Sequence, residues 1–155
     1  MKNIGKGLIF FALLISGCSS TPEKPKIAPM NMSTKITVSA QVNPDVDNRT
    51  SPIVIRIFKL KSLGNYNESD FFGLFENYES ELGSDLLSTE QIHLNPGDIR
   101  TLKHKAVPEA RYFAVVAAYR DINQAIWRDY VSLPAGKATQ VLVIVDKLNI
   151  SVWKK

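Results

Sequence analysis

Ile53-Val54-Ile55-Arg56-Ile57-Phe58-Lys59-Leu60 is apolar on both faces of an extended chain, with Ile53, Ile55 and Ile57 on one side and Val54, Phe58 and Leu60 on the other. A strand that alternates apolar and polar residues has one wet face; this one has none, so it reads as the central strand of a sheet covered on both sides. Arg56 must then find a partner or reach the rim. Residues 34–43 lie upstream, where Ile36, Val38, Ala40 and Val42 alternate with Lys35, Thr37, Ser39 and Gln41 as in a half-buried strand. Residues 112–119 and 141–145 are β-branched or aromatic runs, and Leu148, Ile150 and Val152 alternate again after a tight turn at Asp146-Lys147. Weaker strand signals lie at 90–94, 99–106 and 126–132. Asn95-Pro96-Gly97-Asp98 has the Pro and Gly placement of a type II turn, and Leu133-Pro134-Ala135-Gly136-Lys137 forms a further break. Seven to eight short strands separated by compact turns predict an all-β fold, a β-sandwich.

One segment departs from period two. Over residues 70–87, Phe71, Leu74, Phe75, Tyr78 and Leu82 follow helical spacing, with Gly83 as the stop and Ser69 as the expected N-cap. The spacing predicts a single helix inserted into the sandwich, its aromatic stripe packed on the sheet. Glu76, Glu79 and Glu81 read as its solvated face.

The N-terminus carries a different signal. Lys2 and Lys6 precede the apolar run 7–15, which is too short to span a bilayer, and small Ser16 and Gly17 stand before Cys18, the only cysteine in the 155-residue chain. This is the pattern of a bacterial lipoprotein signal: residues 1–17 are removed and Cys18 becomes the acylated first residue. Several acyl chains on one residue anchor durably, whereas a single chain does not. Ser19 follows, where Asp marks inner-membrane retention in enterobacterial-type lipoproteins, so outer-membrane sorting is expected. Residues 18–33 contain three prolines and little apolar periodicity, as expected of an extended tether ahead of a periplasmic domain at 34–155.

Loss of Lys2 and Lys6 lowers the formal net charge of +4 by two, and no basic block remains that would hold nucleic acid. The remaining chain of roughly 140 residues is long enough to bury a core without disulfides. His93 and His104 have no Cys, His or paired carboxylates at ligand spacing, no G-x-S-x-G is present, and no Gly-rich phosphate cradle occurs, so neither metal, cofactor nor catalytic set is expected. The sequons at Asn48 and Asn67 are read as accidental in a bacterial chain. Between the first two strands lies a polar loop, Pro44, Asp45, Val46, Asp47, Asn48, Arg49, Thr50 and Ser51, whose charged groups suit an interface.

The ordered set Asn43-Pro44-Asp45, Arg49 to Lys61, Asp70-Phe71-Phe72-Gly73-Leu74-Phe75, Asn95-Pro96-Gly97, Arg111-Tyr112-Phe113, Ala117 to Asp121 and Trp127-Arg128 resembles the TssJ (SciN) lipoproteins of type VI secretion systems. The resemblance implies a transthyretin-like β-sandwich with a helical insertion. It also implies binding to the C-terminal periplasmic domain of TssM, with TssL joined indirectly through the membrane complex, and it places the TssM contact on residues 44–51. Relatives often have Gly where this chain has Asn48, and Asn is the non-Gly residue that best tolerates a left-handed backbone. The competing reading is a periplasmic lipoprotein carrier holding a small ligand; the inward positions Ile, Val, Leu and Ala suit a filled core instead.

Cys18→Ser is expected to abolish lipid attachment and membrane anchoring while leaving the domain folded. Palmitate labelling with membrane fractionation checks this, and persistent labelling of the variant would refute it.

Overall fold

The structure, a computed structural model, describes residues 31–105, 107–135 and 137–155. The lipoprotein signal, Cys18 and the tether up to residue 30 lie outside the described residues. Eight strands form two four-stranded sheets. One has the order β4-β1-β7-β8, built from β4 (Ile99–Lys105), β1 (Asn31–Val38), β7 (Thr139–Val145) and β8 (Ile150–Lys154). The other has the order β3-β2-β5-β6, built from β3 (Leu86–Leu94), β2 (Ile53–Leu60), β5 (Tyr112–Ala117) and β6 (Arg128–Ser132). All pairings are antiparallel except β1 with β7.

β2 has the expected bounds and the expected place, between β3 and β5. Its Ile53, Ile55 and Ile57 face the other sheet and join Ile36, Val38, Phe113, Val115, Val143 and Val145 in the main core. Phe58 and Leu60 point the other way, into a second cluster with Ala114, Val116, Tyr66, Leu74 and Leu82 under the helices. Arg56 finds its partner on that second face. Its guanidinium lies 4.3 Å from the ring centre of Tyr78 and 5.3 Å from that of Phe75, and donates to Gln91 at 2.7 Å.

β1 begins three residues before the expected position and ends at Val38, five residues early. The alternation beyond it is misleading: Val42 is fully buried, but it plugs the end of the core from a turn rather than a strand. β3 extends back to Leu86, and the turn at 95–98 forms as expected, with Gly97 at φ +81° and Asp98 N–H donating to the Asn95 carbonyl at 3.1 Å.

The single helix expected over 70–87 is instead three short helices and a 3-10 turn: α1 (Gly64–Glu68), α2 (Phe71–Glu76), α3 (Tyr78–Leu82) and Gly83–Asp85. Asp70, rather than Ser69, caps α2 by accepting from Gly73 N–H at 2.8 Å. The chain folds back at Asn77, which ends α2 and starts α3. That bend lays Glu81 against Gly73, where a Cβ would stand 3.1 Å from the Glu81 side chain, and Ser69 Oγ donates to Glu81 at 2.8 Å. The stripe still packs as expected, with Leu74 and Leu82 fully buried, but wrapped over β2 and β5 rather than laid out straight. Gly83, at φ +48°, stops α3.

The two open edges of the sandwich are closed differently. The Asp129 carboxylate of β6 accepts from Val152 N–H of β8 at 2.7 Å, and Ile126 bridges to Asn149, which sews one edge with one side-chain bond and a short backbone bridge. At the other edge, His104 of β4 stands 3.3 Å from Glu90 of β3, and Lys59 donates to the Lys105 carbonyl at 3.2 Å. Burial, with the Lys59 charge beside it, holds the His104 imidazole below its ordinary value of 6.5.

Val116 is fully buried between β5 and the helices. Val116→Asp is therefore expected to bury an unpaired charge and cost several kcal/mol, a large part of the roughly 5–15 kcal/mol that holds a domain together. Loss of a cooperative melt by circular dichroism checks it; a variant that melts like the wild type would remove Val116 from the core.

Candidate partner-binding loop face

Residues 44–51 emerge after the Val42 plug and close on themselves. Ser51 N–H donates to the Val42 carbonyl at 3.3 Å at the neck, and Asp45 N–H to the Arg49 carbonyl at 2.9 Å further out. The Asp45 carboxylate fills the loop: one oxygen accepts from Asp47 N–H and Arg49 N–H, each at 2.9 Å, and the other from Arg49 Nε at 2.9 Å. Arg49 also pairs with Asp47 at 2.9 Å. The Arg49 N–H, first among these donors, draws the Asp45 carboxyl below its ordinary value of 3.8 despite partial desolvation. A depressed carboxyl pKa stabilises the fold above the unfolded value, so this contribution is fully present at neutral pH and is lost as pH falls below 3.8.

Asn48 has φ +61°, the left-handed conformation that Asn tolerates and the loop requires. Val46 stands at the tip, 98 % exposed. Asp47, Asn48, Arg49 and Thr50 are exposed, Pro44 and Asp45 half-buried, and Ser51 buried in the neck.

Sequence reading missed the residue that places this loop. Asn43 is buried, has φ +49°, and joins three chain segments. Its side-chain NH2 donates to the Pro52 carbonyl at 2.8 Å, its side-chain oxygen accepts from Arg120 N–H at 2.8 Å, and its own N–H donates to the Lys147 carbonyl at 3.0 Å. The loop after β5 and the β7–β8 turn are thereby held beside residues 44–51. Together they form a groove of about 600 Å³ whose walls include Arg49, Arg120, Asp121, Lys147 and Leu148. Arg120 and Asp121 occurred in the family-like runs of the sequence, but nothing local tied Arg120 to Asn43, 77 residues away at the base of the loop.

Elsewhere, among the described residues, no three His, Cys, Asp or Glu side chains converge as a metal site would require. Nor is any described helix long and apolar enough to cross a membrane.

The family model "Type VI secretion lipoprotein, VasD, EvfM, TssJ, VC_A0113" matches residues 30–148. The chain belongs to this type VI secretion lipoprotein family. The T6SS lipoprotein TssJ1 from Pseudomonas aeruginosa is similar at 25 % identity and TM-score 0.78, over 82 % of this chain and 97 % of that one. Serratia marcescens Lip, described as a membrane-bound component of the type VI secretion system, is similar at 25 % identity and TM-score 0.74, over 81 % and 98 %. A chain in the structure named "T6SS protein TssM C-terminal domain (869-1107) from EAEC" shares the fold at 19 % identity and TM-score 0.65, over 79 % and 97 %. No curated protein matches the sequence. The family fold, an all-β sandwich with a small helical insertion, is the one described above.

Asn43→Ala is expected to leave the Arg120 N–H and the Pro52 carbonyl without partners and to put Ala in a left-handed conformation, costing about 2–4 kcal/mol. Thermal unfolding should drop by roughly 10 °C or more, with faster amide exchange at Arg120. An unchanged melt would show that the three segments are held by other contacts.

Proposed function

We propose that this family member is an outer-membrane lipoprotein, acylated at Cys18, whose loop face binds the C-terminal periplasmic domain of TssM and so tethers the type VI secretion membrane complex to the outer membrane. TssL is joined indirectly, through the membrane complex. The observation that carries this reading is the closed, prearranged loop with Val46 at its tip and the Asp45, Asp47 and Arg49 network behind it. A loop already held in one shape loses little entropy on docking, so its polar rim and apolar tip can be spent on affinity.

The position of the loop supports the same reading. β1 runs from Asn31 to Val38, and the loop follows its C-terminal end; eight residues of strand at ~3.3 Å each put it about 25 Å from the end where the chain arrives from the anchor. The partner face thus lies at the opposite end of the strands from the anchor. The part is structural, not enzymatic. A carrier would need an interior cavity, whereas the space between the sheets is occupied by Ile36, Ile55, Phe113, Val143 and their neighbours.

Replacing Asp47, Asn48 and Arg49 together by Gly or Ser is expected to lower affinity for the purified TssM C-terminal domain at least about tenfold, since charged interface hydrogen bonds contribute about 1.5–3 kcal/mol each. Val46→Asp, which leaves the Asp45–Arg49 pairing intact, should also weaken binding. Melting curves should hardly move in either case. Unchanged affinity with an intact fold would move the interface off residues 44–51, and absence of binding by the wild type would favour a carrier.

A further inference from the structure

The charges of this domain are segregated by layer. The helical layer outside β2 and β5 carries Glu68, Asp70, Glu76, Glu79, Glu81 and Asp85 and no Lys or Arg. The sheet β4-β1-β7-β8 contains no acidic residue in any strand. Its outward face is left uncovered by any other described element. Strand alternation puts Lys35, Lys103 and Lys105 on that face, opposite buried Thr34 and Ile36 and half-buried Leu102 and His104. Lys155 extends the outward row of β8 beside Gln140. Among the described residues none of these four lysines has an ion-pair partner.

Register then places an apolar strip among them. Trp153, 60 % exposed, pairs with Leu142, and Leu142 with Lys35; one row further on, Ile144 pairs with Thr37, and Thr37 with Ile99, 66 % exposed. The lysines cluster toward Asn31, the end nearest Cys18 in the chain, with Lys105 directly opposite Asn31 and Lys103 opposite Ser33. An amphipathic indole beside uncompensated lysines is the chemistry of a membrane–water interface.

We infer that the outward face of β4-β1-β7-β8 rests on anionic phospholipid headgroups of the bilayer that holds the chain's own anchor, with Lys35, Lys103, Lys105 and Lys155 on phosphates and Trp153 at the headgroup level. Charge complementarity selects lipid, and the twelve residues between Cys18 and Asn31, at ~3.1 Å each when extended, let this end of the sheet reach the bilayer that holds the anchor. The inference rests on the anchor proposed above for its geometry. It would orient the domain, leaving the acidic helices toward the periplasm and the loop face free at the far end.

The test uses the processed lipoprotein reconstituted in vesicles of phosphatidylcholine alone or mixed with phosphatidylglycerol, each with brominated phosphatidylcholine as a fluorescence quencher. Trp127 and Trp153 are the only tryptophans, so a Trp153→Phe chain supplies the background. Trp153 emission is expected to be quenched about twofold or more on the anionic vesicles only, with the effect reversed by high salt. The Lys35→Glu/Lys103→Glu chain should lose at least about tenfold of this headgroup association while melting as the wild type does. Equal quenching on both vesicles, or quenching indifferent to the lysine changes, overturns the inference. So does salt-sensitive self-association through the same lysines without quenching, which would make the face a contact with the acidic layer of a second copy. Flotation on the neutral vesicles reports the Cys18 anchor separately: its failure would refute the anchor, while quenching on anionic vesicles would still decide the face.

Discussion

Strand β2 has no side that water can wet, and the architecture follows from hiding both. Ile53, Ile55 and Ile57 require a second sheet; Phe58 and Leu60 require something on the opposite face. Antiparallel sandwiches usually leave their outer faces to solvent, so the helical insertion is what allows this one to have a doubly buried centre. Burial on that second face also admits Arg56, because Tyr78 and Phe75 offer it aromatic surfaces and Gln91 an acceptor. Arg128 does the corresponding work two strands over, on β6, donating to the carbonyls of Tyr66, Asn67 and Ser69 at 2.8–3.1 Å and so holding the end of α1 against the sheet.

Covering one face of one sheet leaves the opposite sheet bare, and the molecule is therefore polar in layers as well as along its strands. Along the strands, the end where the chain arrives is separated from the loop face by the length of β1. Across the layers, acidic helices lie on one side and a lysine-bearing sheet face on the other. A domain with two such axes presents chemically different surfaces to its surroundings in each direction.

The loop face depends on a different economy. Loops carry exposed backbone groups, and three of them meet here with Asn43 buried at their junction. One side chain with both a donor and an acceptor satisfies Pro52 and Arg120 at once, which an aliphatic residue could not do and a carboxylate could do only in part. Within residues 44–51 the Asp45 carboxylate performs the same task locally. The rigidity of the outer loop thus traces to two polar side chains rather than to apolar packing.

What the amino-acid sequence determined alone was whatever is encoded in neighbouring residues. Period-two alternation located the strands, the Pro96-Gly97 pair set a turn that Gly97 completes at φ +81°, and Asn48 supplied the left-handed residue its loop needed. The double apolarity of β2 already demanded two coverings, and its start at Ile53 was legible as the downstream limit of the polar loop, whereas the upstream limit is not a strand end, since β1 stops at Val38. Tertiary structure decided the rest. Helical spacing from Phe71 to Leu82 is equally compatible with one straight helix and with a chain folded at Asn77; the compact patch of β2 and β5 to be covered selects the folded form. Alternation through residues 39–42 was overruled because Val42 plugs the core from a turn. The pairing of β1 with β7, the junction at Asn43 and the union of Arg120, Asp121 and Lys147 with residues 44–51 depend on contacts between segments far apart in the chain, and residue spacing carries no record of which distant backbone groups will need the same hydrogen-bonding partner.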